Sequence, residues 1–134
     1  MSSLMKTIRT ILVHNDINFE PITAQILMGY SRKKPFTITV NNQNQTVTIS
    51  STVYTGFPKT NRAAVFKELN KLNYMQVVKH RLSRNGNIIM ESHICTRYSE
   101  LNEANLMKSI VLISNAYMAH EQCMDKLKNN CSDE

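Results

Sequence analysis

Between Phe36 and Val53 apolar and hydroxyl side chains take turns along the chain, and this alternation restricts the fold more than any other feature. Phe36, Ile38 and Val40 are separated by Thr37 and Thr39, and Val47, Ile49 and Val53 are set among Thr46, Thr48 and Thr52. A period of two in β-branched residues puts every second side chain on one face of an extended backbone, so the spacing predicts two strands, each with one apolar and one polar face. The intervening Asn41-Asn42-Gln43-Asn44-Gln45 reads as a hairpin turn. As an aggregation-prone Asn/Gln tract, the other reading, it is too short. One dry sheet face needs a cover, and a chain of 134 residues is long enough for a single core.

The cover is predicted to be helical. Leu4, Ile8, Ile11 and Leu12 share a stripe, which gives an amphipathic helix over residues 4–14 that is too short to stand alone and must pack. Ala24–Tyr30 is expected to be a further, weakly patterned strand after Pro21. Gly56 and Pro58 close the alternating segment. Thr60 and Asn61 are capping candidates for a second helix with Val65, Phe66, Leu69 and Leu72 on its apolar side and Lys67 and Lys71 facing solvent. Leu106, Ile110, Ile113, Tyr117, Met124 and Leu127, with Met107, Val111 and Met118 alongside, predict one long closing helix. Residues 129–134 are expected to fray.

Asn85-Gly86 lies between the β-like runs Met75–Leu82 and Ile88–Cys95 and signals a hairpin. A two-residue loop would pair Leu82 with Ile89 and His80 with Glu91, mixing both faces. A three-residue loop with Gly86 in the left-handed conformation sorts them: Val78, Leu82, Ile88, Met90 and Ile94 on one side, Lys79, Arg81, Glu91 and His93 on the other. His80 then falls on the packed side as a satisfied, partly buried histidine. The expected fold is α+β, in the order α-β-β-β-α-β-β-α, forming a single domain over residues 1–134.

Charge is distributed unevenly. Between Phe57 and Met90 stand Lys59, Arg62, Lys67, Lys71, Lys79, Arg81 and Arg84 against the single acid Glu68, a balance equal to the net charge of +6 for the whole chain. Arg32-Lys33-Lys34 forms a second basic cluster. Such a patch suits an acidic protein, a nucleic acid or an anionic surface. The segment lacks the stacking aromatics of a single-strand binder, any RNP-like motif and a zinc-finger ligand set, which weighs against nucleic acid.

Catalytic and cofactor chemistry finds little to stand on. Cys95, Cys123 and Cys131 contain no C-x-x-C pair, so no disulfide framework or zinc knuckle is indicated, and reduced thiols in a cytoplasm are expected. Cys95 with His80 or His93 as a nucleophile–base pair lacks an orienting acid or amide placed by the sequence. The histidines at 14, 80, 93 and 120 have no metal-binding spacing, and Gly29, Gly56 and Gly86 cannot write a nucleotide-binding loop. No catalytic residue, metal or cofactor is therefore assigned. No signal-peptide pattern or membrane-length apolar run is present. Eight methionines and no tryptophan suit an adaptable packing or contact surface. Met28, Met75, Met90, Met107 and Met118 are each expected in the core.

The helix Arg62–Leu72 with its ending Leu69-Asn70-Lys71-Leu72-Asn73, the hairpin Val77–Leu82 and Asn87–Ile94, and the long helix after Leu101 together resemble the type III secretion chaperone-like fold, including the YbjN family of small bacterial proteins. The resemblance implies a twisted antiparallel sheet packed against helices, frequent dimerisation, no active site, and a partner polypeptide held along apolar patches. The secretion chaperones are typically acidic and this chain is basic, which favours the broader family or a different partner. The resulting expectation is a non-enzymatic, cytoplasmic, homodimeric adaptor or chaperone-like module with an acidic protein partner. The alternative is a basic nucleic-acid-binding accessory protein using the same seven cations.

Overall fold

The computed structural model describes residues 2–54, 62–75, 78–98 and 100–132, with the backbone alone for 53, 54, 68, 71–75 and 119–132. Gly56, Pro58, Lys59, Thr60 and Asn61 lie outside the described residues, as do the side chains of Lys71, Leu72, Met75, His120, Cys123, Met124, Leu127 and Cys131.

The first helix, α1 (Ser3–His14), starts where Ser2 caps it, its hydroxyl accepting from the Met5 N–H at 3.2 Å. It stops in a left-handed residue: Asp16 has φ 55°, the Ile17 N–H donates to the Leu12 carbonyl at 2.9 Å, and the Asp16 N–H donates to that of Val13 at 3.1 Å. This pair of hydrogen bonds is a Schellman cap with aspartate where glycine is usual. Met5, Ile8, Ile11 and Leu12 are buried, while Leu4, expected in the stripe, is only partly buried against them.

Six antiparallel strands follow the order β1-β2-β3-β4-β6-β5, namely β1 (Phe19–Pro21), β2 (Ile26–Ser31), β3 (Lys34–Asn41), β4 (Thr46–Tyr54), β5 (Lys79–Leu82) and β6 (Ile88–Cys95). Strand β1 is an addition to the expected order. With three residues and a terminal proline it carries too short an alternation to be read from sequence, and proline is tolerated there because β1 is an edge. Helix α2 (Arg62–Met75) separates β4 from β5 and takes in Met75, so β5 is shorter than expected. Helix α3 (Glu103–Ser132) closes the chain.

The inner face of the sheet carries Leu27, Phe36, Ile38, Val40, Val47, Ile49, Met90 and Ile94, packed with the α1 stripe and with Leu106, Ile110, Ile113 and Ala116 of α3. Burying each such aliphatic side chain is worth about 1.5–3 kcal/mol relative to leaving it exposed. Val65 and Leu69 of α2 are buried too, while Phe66, expected beside them, is 48% exposed. Phe36 lies opposite Gly29 on β2, and a Cβ at Gly29 would come within 2.6 Å of the Phe36 ring. Glycine at this position makes room for the ring.

The second hairpin has the sorted register. Leu82 pairs with Ile88 and His80 with Met90, the Ser83 N–H donates to the Asn87 carbonyl at 2.8 Å, and Gly86 has φ 81°. The tip is therefore the three-residue loop Arg84-Asn85-Gly86, and His80 is buried on the packed side at 3% exposure.

Candidate binding surface

Because side chains alternate along each strand, the residues opposite the core form their own array. Registers place Ile26, Thr39, Thr48 and His93 in one row across β2, β3, β4 and β6. The next row is Glu20, Met28, Thr37, Ser50, Glu91 and Lys79, across all six strands. A third holds Tyr30 beside Pro35 and Thr52 beside Ile89 and Arg81. The middle of this outer face is a field of hydroxyls, with apolar residues towards β1 and β2 and charges towards β5. Tyr30, Thr52, Lys79, Arg81 and His93 are exposed on it.

At the apolar corner Asn18, Phe19, Glu20, Met28 and Tyr30 enclose a shallow cavity of about 180 Å³. Tyr30 is 56% exposed and nearby Ile22 54%. Met28 is thus a half-buried methionine on the outer face, contrary to the expectation of a core one, because its parity on β2 is opposite to that of buried Leu27. Met118 is exposed, whereas Met90 is fully buried and Met107 packs against the core.

The seven cations read as one patch divide among three places. Lys79 and Arg81 stand on the outer face of β5; Arg81 pairs with Glu91, which lies one residue beyond the basic segment. Lys67 is exposed on α2. Arg62 and Arg84 meet at one end of the sheet, the Arg62 guanidinium donating to the Arg84 carbonyl at 3.2 Å. Lys71 belongs to α2, and Lys59 is outside the described residues.

Sequence order hid a fourth contribution. The β2–β3 turn, Ser31-Arg32-Lys33-Lys34, projects from the same end of the sheet as the β5–β6 tip, because Tyr30 pairs with Pro35 there and Leu82 with Ile88. Arg32 and Lys33 both have positive φ, 52° and 65°, as a type I′ turn requires. Without glycine or asparagine this costs about 1–2 kcal/mol per residue. The turn is docked on α3: Arg32 donates to Asn115 at 2.8 Å, the Ser114 hydroxyl to the Ser31 carbonyl at 3.4 Å, and the Lys34 ammonium lies 4.6 Å from the centre of the Tyr117 ring.

One arrangement on the outer face has the residue types of a hydrolase. Thr48 Oγ1 is 3.0 Å from His93 Nδ1, and His93 Nε2 is 3.0 Å from Glu91 Oε2. Thr48 and His93 face each other, and Ser50 faces Glu91, in the β4–β6 ladder. The string Thr48–His93–Glu91–Arg81 links β4, β6 and β5 across the outer face. Cys95 is half-buried and stands in the row beyond, opposite Thr46.

Residues 5–116 match the family YbjN, described as "Putative bacterial sensory transduction regulator". The chain belongs to the YbjN family. Among solved structures it is similar to YbjN from E. coli, described as a putative transcription regulator, with a TM-score of 0.68 at 14% identity, covering 90% of this chain and 93% of that one. It is also similar to a chain of the ExsC–ExsE complex, with a TM-score of 0.58 at 8% identity, covering 91% of this chain and 96% of the other. Among curated protein sequences nothing matches. The fold is therefore α+β, the one expected from the hairpin and closing helix, and is shared with YbjN and with that chain of the ExsC–ExsE complex. Among the described residues, no helix is long and apolar enough to cross a membrane.

Proposed function

We propose that this YbjN-family chain is a non-enzymatic, chaperone-like module that holds a partner polypeptide on the outer face of its sheet and acts as a cytoplasmic homodimer. The observation that carries the reading is the division of the sheet: one face is filled by helices, while the other keeps Met28, Tyr30 and a cavity of about 180 Å³ beside a band of hydroxyl groups. A held polypeptide supplies apolar side chains to that corner and carboxylates to cations elsewhere on the chain, the candidates being Lys59, Arg62, Lys67, Lys71, Lys79, Arg81 and Arg84. The ExsC–ExsE structure supports this reading, since a protein of the same fold is found there in a complex with another protein.

Affinity capture with the tagged chain, followed by mass spectrometry and repeated with Met28→Glu and Tyr30→Glu, tests it. A defined protein retained by the wild type and lost with both variants is expected. Capture that is indifferent to both changes counts against the outer face, and light scattering at the 15.4 kDa of one chain counts against the dimer. Retention on an oligonucleotide column that falls steeply with salt would instead favour the nucleic-acid reading.

A further inference from the structure

We propose that the end of the sheet formed by the β2–β3 turn, the β5–β6 tip and the start of α2 binds a carboxylate-rich segment of the partner, with an apolar residue of that segment seated in the cavity beside Met28 and Tyr30. The inference rests on the polypeptide-holding reading and adds the chemistry of the segment held.

Topology supplies the first argument. Arg32 and Lys33 on one turn and Arg84 on the other, with Arg62 bonded to its carbonyl, are far apart in sequence. They reach the same end because β2, β3, β4, β6 and β5 lie side by side. The two turns are separated by three strand spacings, about 14 Å, which an extended peptide covers in about four residues. Neither turn contains an acid and neither does the first turn of α2. Among the described residues no ion pair involves Arg32, Lys33, Arg62 or Arg84.

Strain supplies the second. The left-handed positions of the β2–β3 turn would be relaxed as Asn-Gly, yet they carry two long cations and are held by contacts to α3. Unfavourable backbone conformations kept in place by their surroundings concentrate at functional sites, and what these two residues add is positive charge at an exposed tip.

The occupant follows from the neighbourhood. Tyr30, which lines the apolar cavity, is two residues from Arg32 at the start of the cationic turn. Glu20 lines that cavity. A nucleic acid carries a phosphate at every residue and would bring one against Glu20. A peptide places its carboxylates at the turns and an aliphatic side chain beside Met28.

The test measures fluorescence anisotropy of the full chain with three labelled peptides of equal length, each with a central leucine flanked by glutamate, glutamine or lysine, and with an oligo-dT of similar length. The glutamate peptide should bind at least about tenfold more tightly than the glutamine peptide at low ionic strength, an advantage that shrinks with added salt. The double variant R32N/K33G should unfold at higher urea concentration, since its turn is relaxed, and yet lose about fivefold or more of the glutamate-peptide affinity. Arg84→Gln, at the other tip, should weaken binding in the same direction without the gain in stability.

Equal binding of the glutamate and glutamine peptides, undiminished affinity in R32N/K33G and Arg84→Gln, or tighter binding of oligo-dT than of any peptide would each overturn the assignment. If a captured protein partner binds these variants as well as it binds the wild type, the cationic end is excluded and the polypeptide-holding reading stands. If capture returns no protein at all, that reading fails as well.

Discussion

The two faces of the sheet are made by the same strands, residue by residue, and differ in almost everything else. On β4, Ile49 faces α1 and α3 and is fully buried, while Thr48, one position earlier, faces outwards and bonds to His93. The inner face is occupied by its own chain and serves stability. The outer face has β-branched residues that suit strands but hydroxyls that need no cover, so the sheet holds its shape with one side left uncovered by the described helices. That division separates the residues that keep the protein folded from those available to a partner.

The comparison is broken most severely by exchanging neighbours across it. Ile49→Ala should lower unfolding stability by about 2–4 kcal/mol, through lost transfer energy and the cavity left behind. Thr48→Ala should change it by no more than about 0.5 kcal/mol. Urea denaturation of both variants measures the difference, and similar losses would show that the outer face is covered in solution. Gly29→Ala probes the inner face from the opposite direction, by adding an atom where the Phe36 ring lies 2.6 Å from the new carbon. It should cost about 1–3 kcal/mol in the same assay, and Phe36→Leu should relieve part of that cost.

The line between the faces also depends on the second hairpin's register. Gly86 holds φ 81°, and Gly86→Ala should cost about 1–2 kcal/mol without altering the strands. Gly86→Asn should cost less, since asparagine tolerates the left-handed region. Amide hydrogen exchange on β5 and β6 would report whether both variants keep Leu82 opposite Ile88.

Much of the fold is legible in the sequence because it follows from parity and period. The alternation in β3, β4 and β6 set which residues are buried, and the conflict between two registers of the Asn-Gly hairpin was enough to identify the three-residue loop. Strand β1 was not legible: it owes its pairing to β2, and a segment of three residues ending in proline has no pattern of its own. Phe66 shows the limit of helical spacing, since a stripe gives the face of α2 but not how far its neighbours reach around it. The candidate surface was legible only in part, because proximity between Arg32 and Arg84 is a property of strand order. The count of charges along Phe57–Met90 included Arg81 and left out Glu91 by one residue, although the two pair across β5 and β6.

That pair gives the smallest expected effect and sharpens the comparison most. Arg81 is 56% exposed and Glu91 only 14%, with His93 on the other carboxylate oxygen. A double-mutant cycle with Arg81→Ala and Glu91→Ala should give a coupling of about 0.2–1 kcal/mol, reduced in 1 M salt, as for other pairs near water. The partially covered carboxylate sets the upper end of this range, since it is less well screened than the guanidinium. If the coupling is this small, the Thr48–His93–Glu91–Arg81 string adds little to folding, and its position on the bare face rather than the packed one is the reason. A coupling well above the range, insensitive to salt, would mean that water is excluded from β5 and β6 on their outer side, as it would be if a second copy of the chain covered them.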